Sequence, residues 1–123
     1  DFQDPDYVPH RAGGERRRFD AALADAQSPP QIHVQHYLIW PERNANYRYG
    51  YTNADAIRKA MEGASHRVLS ISGHYHAGIM VAGHNGVEYV VGAALCEEPH
   101  PCYIIELRAG GFDVAVRNLV GGA

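Results

Sequence analysis

Asn85-Gly86 stands between two short apolar runs, residues 79–82 and 87–91. An Asn-Gly pair accepts positive φ at both centres of a tight turn, so it folds such runs back on each other as an antiparallel hairpin. Gly110-Gly111 sits likewise between residues 103–107 and 112–116 and predicts a second hairpin. The late half of the chain is therefore expected to be an antiparallel meander. Residues 90–96 form the longest apolar run and read as a buried strand. The run falls far short of the ~20 residues that a membrane-spanning helix needs, so no membrane partner is expected.

The early half carries a different rhythm. Residues 1–14 read as irregular, because Asp4-Pro5-Asp6 and Val8-Pro9 disfavour helix and Gly13-Gly14 closes the segment. Residues 15–26 read as a helix, with Phe19, Leu23 and Ala26 at helical spacing and Arg16, Arg17 and Arg18 on a solvated face. Pro29-Pro30 stops it. An extended run follows over 31–39, with Ile32, Val34 and Leu38 as its apolar positions, and Trp40-Pro41 ends it. Residues 41–52 form a loop rich in tyrosine and arginine. Asn53 is a good N-cap for a short helix over 54–62 closed by Gly63, and 67–72 is a second buried strand. This order predicts an α/β fold with a parallel pair early and antiparallel strands added to the sheet later.

Composition narrows the function classes. The 123 residues make one domain or half-domain, residues 1–123. Eleven basic against fourteen acidic residues give a formal charge of −3, so no nucleic-acid polymer is expected as partner. Hydrophobic residues at 46% and charged residues at 20% suit a globular domain and argue against disorder. Cys96 and Cys102 are too few for a disulfide framework, and both a single bridge and two reduced thiols stay open. A cytoplasmic location is the default from this cysteine usage.

Histidine is the unusual residue, with eight in the chain. Gly73-His74-Tyr75-His76 falls where the second strand gives way to a loop. Ligands of open α/β sheets bind outside the carboxyl ends of strands. Residues i and i+2 of an extended segment point to one side, so His74 and His76 are expected to share a pocket. If the two strands are neighbours, His36 arrives beside His74. Three converging imidazoles favour zinc, manganese or iron. His33 is expected to point away from that pocket, and His84, beside the Asn-Gly turn, is expected at the surface. His10, His66 and His100 have no partner at ligand spacing. Glu97, Glu98 and His100 could suggest an acid-base group, but Pro99 and Pro101 mark a loop there.

Ser70-Ile71-Ser72-Gly73-His74-Tyr75-His76-Ala77-Gly78 resembles the last signature of the calcineurin-like metallophosphoesterases, Gly-His-x-His after a hydrophobic strand. Val34-Gln35-His36-Tyr37 resembles the preceding signature, a strand that ends on one metal-binding histidine. The loop, Asn-capped helix and strand between them match in order, and the likeness runs over residues 15–118. Tyr51-Thr52-Asn53 and Glu98-Pro99 are similar to positions in the branch that acts on nucleotide diphosphates and cyclic nucleotides. Leu38 stands where the family usually has proline. The family's earlier signatures, Asp-x-His, Gly-Asp-x-x-Asp and Gly-Asn-His-Asp/Glu, do not occur in these residues.

The resemblance implies the C-terminal half of a metallophosphoesterase-type αββα sandwich, with a mixed sheet and antiparallel hairpins at its C-terminal end. It implies a metal-dependent phosphoester hydrolase of phosphodiesterase or nucleotide pyrophosphatase type. His36 and His74 would bind one of two divalent metal ions (Mn, Fe or Zn) and His76 the other. Two such ions carry four positive charges, which three neutral imidazoles do not offset, so a bridging carboxylate must come from elsewhere. The chain is thus expected to be one lobe whose N-terminal lobe is missing or lies on a second chain. Apolar surface that the other lobe would cover is expected to be exposed.

Arg43, Tyr49 and Asn53, with Tyr47, Arg48 and Tyr51, are the expected substrate rim for a phosphoester or nucleotide-like small molecule. Aromatic rings stack bases, and arginine pairs with phosphate bidentately. Two rival readings are a mononuclear three-His zinc protein and a non-catalytic α/β interaction module. A cupin also sets His-x-His on a strand, but no glutamate follows within residues 77–83, and two helices precede the motif.

Overall fold

The computed structural model describes residues 9–10, 13–45 and 47–120. Helix α1 (Gly13–Ala24), strand β1 (Gln31–Gln35), helix α2 (Ala54–Glu62) and strand β2 (Val68–Ser72) come first. Strands β3 (Ile79–His84), β4 (Val87–Val91), β5 (Pro101–Arg108) and β6 (Gly111–Asn118) follow, so the fold is mixed α/β. Most of the segment expected to be irregular, 1–14, lies outside the described residues. Gly13 and Gly14 open α1 instead of closing what precedes it. The helix also ends before Ala26, because Asp25 accepts backbone N–H bonds through its side chain (Gln27) and its carbonyl (Ser28), which peels the chain into a turn.

β1 is shorter than the 31–39 run. Tyr37, Leu38 and Ile39 are buried in succession, at 8%, 1% and 4% exposure, which a strand with alternating faces does not do. Leu38 instead exchanges backbone bonds with the following loop, from its N–H to the Tyr49 carbonyl and from the Tyr51 N–H to its own carbonyl. Asn53 takes the N-cap position of α2 without making a side-chain cap bond.

One four-stranded sheet has the order β1-β2-β4-β3, and β5-β6 form a separate antiparallel pair. The expected meander is corrected here: β4 runs parallel to β2 and inserts between β2 and β3. Burial explains the choice. Val87, Tyr89, Val90 and Val91 are all nearly inaccessible, so β4 is apolar on both faces and belongs inside a sheet. β3, whose Met80 is half exposed, takes the edge. The hairpin itself forms at Asn85-Gly86, whose φ values of 48° and 83° are both positive. The strand expected over 90–96 ends at Val91. Gly92 bonds back to the Ser72 carbonyl and Ala94 to the His76 carbonyl, which draws the chain across the end of the sheet.

The sheet has a different cover on each face. Phe19 and Leu23 of α1 and Ile57 and Met61 of α2 pack on Val68, Val87 and Tyr89. On the opposite face Leu69 and Val90 meet Phe112, flanked by Tyr103, Ile105 and Val114 of the β5-β6 hairpin. Ile32 and Val34 of edge strand β1 pair with Leu69 and Ile71 and so share the hairpin's face, yet they stay 45% and 73% exposed. Cys96 and Cys102 are unpaired thiols. Among the described residues no helix is long and apolar enough to cross a membrane.

Candidate metal centre

Gln35 of β1 lies opposite Ser72 of β2, so the two parallel strands deliver their next residues to the same end of the sheet. The Gln35 side-chain amide donates to the Ser70 and Ser72 hydroxyls at 2.8 Å each, a buried clamp directly beneath that end. One step on, the Gly73 N–H donates to the His36 carbonyl. These bonds bring His36 Nε2 to 3.0 Å from His74 Nδ1. Two nitrogens each bound to one ion at 2.0–2.1 Å stand roughly 3 Å apart, so the spacing fits adjacent ligands of one metal. As they stand, one imidazole donates to the other.

His74 sits at φ 64°, a conformation a non-glycine residue holds only when its surroundings impose it. Its pKa is pushed below the ordinary histidine value of 6.5, chiefly by burial and next by the neighbouring His36. The Arg48 backbone opposes that shift and His76 adds to it. The shift favours the neutral imidazole, the form that binds metal. His74 Nε2 is buried and makes no well-formed hydrogen bond. Tyr37 packs edge-on beneath the pair, with ring centres 5.1 Å from His36 and 4.8 Å from His74.

His76 reaches the site by another route than strand alternation. The Gly73–Gly78 segment is a turn, closed by the Gly78 N–H on the Tyr75 carbonyl at 2.9 Å. Gly78 has φ +73°, and a Cβ there would stand 2.8 Å from the Ala93 Cβ. Only glycine lets the turn lie that close to the strand end. Glu97 Oε1 then takes His76 Nδ1 at 2.7 Å. A carboxylate on one ring nitrogen fixes the tautomer and leaves Nε2 as the lone-pair nitrogen for a metal. His74 and His76 line one hollow of about 340 Å³ together with Tyr47 and Tyr49.

The residues fit part of a metal site. His36 and His74 have ligand spacing, and His76 has its orienting carboxylate. Among the described residues no three or more His, Cys, Asp or Glu side chains converge closely enough to hold a metal as they stand. Glu97 was missed as the partner of His76 in the sequence, because backbone bonds distant in sequence, Gly92 to Ser72 and Ala94 to His76, bring its loop there.

Of the expected substrate rim, Tyr49 walls the hollow and also lines an adjoining groove with Arg43. Asn53 lines neither. His33 faces α1, edge-on to Phe19 and bonded to the Gln31 side chain. His84 stacks on Trp40 at 4.1 Å. The His100 ring bonds the Leu95 carbonyl, while its backbone N–H donates to the Glu97 carbonyl at 2.7 Å. No family model matches the chain, and no curated protein matches it significantly.

Proposed function

We propose that this chain supplies the histidine-rich part of a metal-dependent phosphoester hydrolase, arranged as in the second half of a metallophosphoesterase sandwich. The observation that carries the reading is the contact of His36 with His74 across the ends of two parallel strands, with the Glu97-oriented His76 beside it. His36 and His74 would hold one divalent ion, Mn, Fe or Zn, and His76 a second. When bound, such a pair supplies Lewis acidity and activates water for in-line displacement at phosphorus.

The chain's own residues bind and orient. Glu97 keeps His76 in the metal-binding tautomer. Burial, with His36 beside it, lowers the His74 pKa and so favours the neutral ring. Tyr47 and Tyr49 wall the hollow on the substrate side. Carboxylates that balance two ions come from polypeptide beyond this histidine set. The exposed Ile32–Val34 edge, on the strand that leads into His36, is the surface such polypeptide would adjoin.

Hydrolysis of bis(p-nitrophenyl) phosphate with added Mn²⁺ tests the reading on the full natural protein. His74→Ala and His76→Ala are each expected to lower turnover at least about 100-fold and to lower bound metal in parallel. Unchanged turnover in either variant contradicts it.

A further inference from the structure

Trp40 borders a second cavity, of about 150 Å³, that no residue of the histidine hollow lines. A cavity of about this volume admits a molecule the size of benzene. Leu38 and Ile39, both buried, and the Trp40 ring give it an apolar side. The expected substrate rim divides here. Arg48 and Tyr51 line this cavity and neither the hollow nor the adjoining groove.

The charged residues that line it are Arg48 and Arg58 against Glu42 and Asp55, so its wall carries both signs and no net charge. These charges are not all satisfied by one another. Arg58 Nη2 reaches Asp55 at 3.3 Å, and its guanidinium carbon lies 5.2 Å from the centre of the Trp40 ring. Its Nε is buried without a hydrogen-bond acceptor, because Glu62 at 3.9 Å stands too far off to accept from it. Neither Glu42 nor Arg48 has an ion pair among the described residues. Glu42 Oε1 takes a long bond, 3.3 Å, from Asn44 Nδ2. Asn44 is itself fixed, since its Oδ1 accepts the Tyr49 and Gly50 N–H groups at 3.0 Å each. The acid is therefore in place before a ligand arrives.

A carboxylate without a cation, guanidinium donors to spare and an apolar side suit a ligand with both charges and a short hydrocarbon part. A phosphate dianion would meet two carboxylates along with the two guanidiniums. A long side chain would exceed the volume.

We infer that this cavity is a binding site for a small zwitterionic α-amino acid, its carboxylate on Arg48 and Arg58 and its ammonium on Glu42. The inference is independent of the phosphoesterase reading, because no histidine of the hollow takes part.

The test is titration of the full natural protein, without added metal, with L-alanine, L-phenylalanine, acetate, methylammonium and inorganic phosphate. Trp40 emission and heat are both followed. Trp40 is the chain's single tryptophan, so its emission reports on this cavity. L-Alanine is expected to bind at least about tenfold tighter than acetate or methylammonium, the scale of one charge-assisted hydrogen bond. It is also expected to bind more tightly than L-phenylalanine and phosphate. Glu42→Gln, at an exposed position, brings L-alanine down to the level of acetate and leaves acetate unchanged, whereas Arg48→Gln, also exposed, weakens both. No binding of L-alanine by either measurement, phosphate bound more tightly than L-alanine, or an L-alanine affinity untouched by both variants overturns the inference.

Discussion

His36 and His74 lie 38 positions apart in sequence, yet their ring nitrogens stand 3.0 Å from each other. The parallel register that sets Gln35 against Ser72 makes this contact, and the Gly73–His36 backbone bond carries it one residue past the strands. The first expectations concern what maintains that register.

Gln35→Ala removes the amide that bridges Ser70 and Ser72 in a buried layer. Leaving such groups without partners costs about 1–3 kcal/mol. Urea unfolding should show that loss, and the variant should also bind divalent metal more weakly, because the register sets the His36–His74 distance. Full stability would show that the clamp is not needed.

Gly78→Ala places a methyl group against Ala93 at a positive φ. Strain of this kind costs about 1–3 kcal/mol. Relief comes by lifting the turn that carries His76, so metal affinity is expected to fall along with stability. A crystal structure of the variant with the His76–Glu97 bond intact would refute the link.

Glu97→Gln leaves the size of the side chain and removes the charge that orients His76. Loss of such an outer partner typically weakens metal binding 10–100-fold. Calorimetric titration with Mn²⁺ or Zn²⁺ measures it, and Glu98→Gln, next along the same loop, is the control expected to bind normally.

Tyr89 provides a pH test away from the metal site. Burial, reinforced by Glu62, raises its phenol pKa above the ordinary 10.0. The folded chain therefore keeps the proton that the unfolded chain releases. This contribution to stability is complete below pH about 10 and is lost as pH climbs beyond it. Urea midpoints should fall from pH 9 to 11 in the natural chain and fall less in Tyr89→Phe.

Local patterns were legible where local chemistry decides. The Asn85-Gly86 turn demands positive φ twice, and the structure has it twice. Helix α2 begins after Asn53 and ends before Gly63, at the punctuation the sequence offers. The placement of β4 was not legible, because its hairpin turn is the same whether the strand lies at the edge or inside the sheet. Burial on both faces, a tertiary property, put it beside β2. The meeting of His36 and His74 follows from the pairing of the two strands that end beside them. The His74–His76 relation came out with the right companions and the wrong cause, since a turn, not an extended segment, brings them to one hollow. Glu97 was hidden because contacts distant in sequence, among them the Ala94–His76 backbone bond, carry its loop in.

Native mass spectrometry of the natural protein, before and after a chelator, tests the central claim most directly. The claim predicts divalent metal that the chelator removes and that His36→Ala, His74→Ala and His76→Ala each diminish. The same metal content in all three variants as in the natural chain would contradict it.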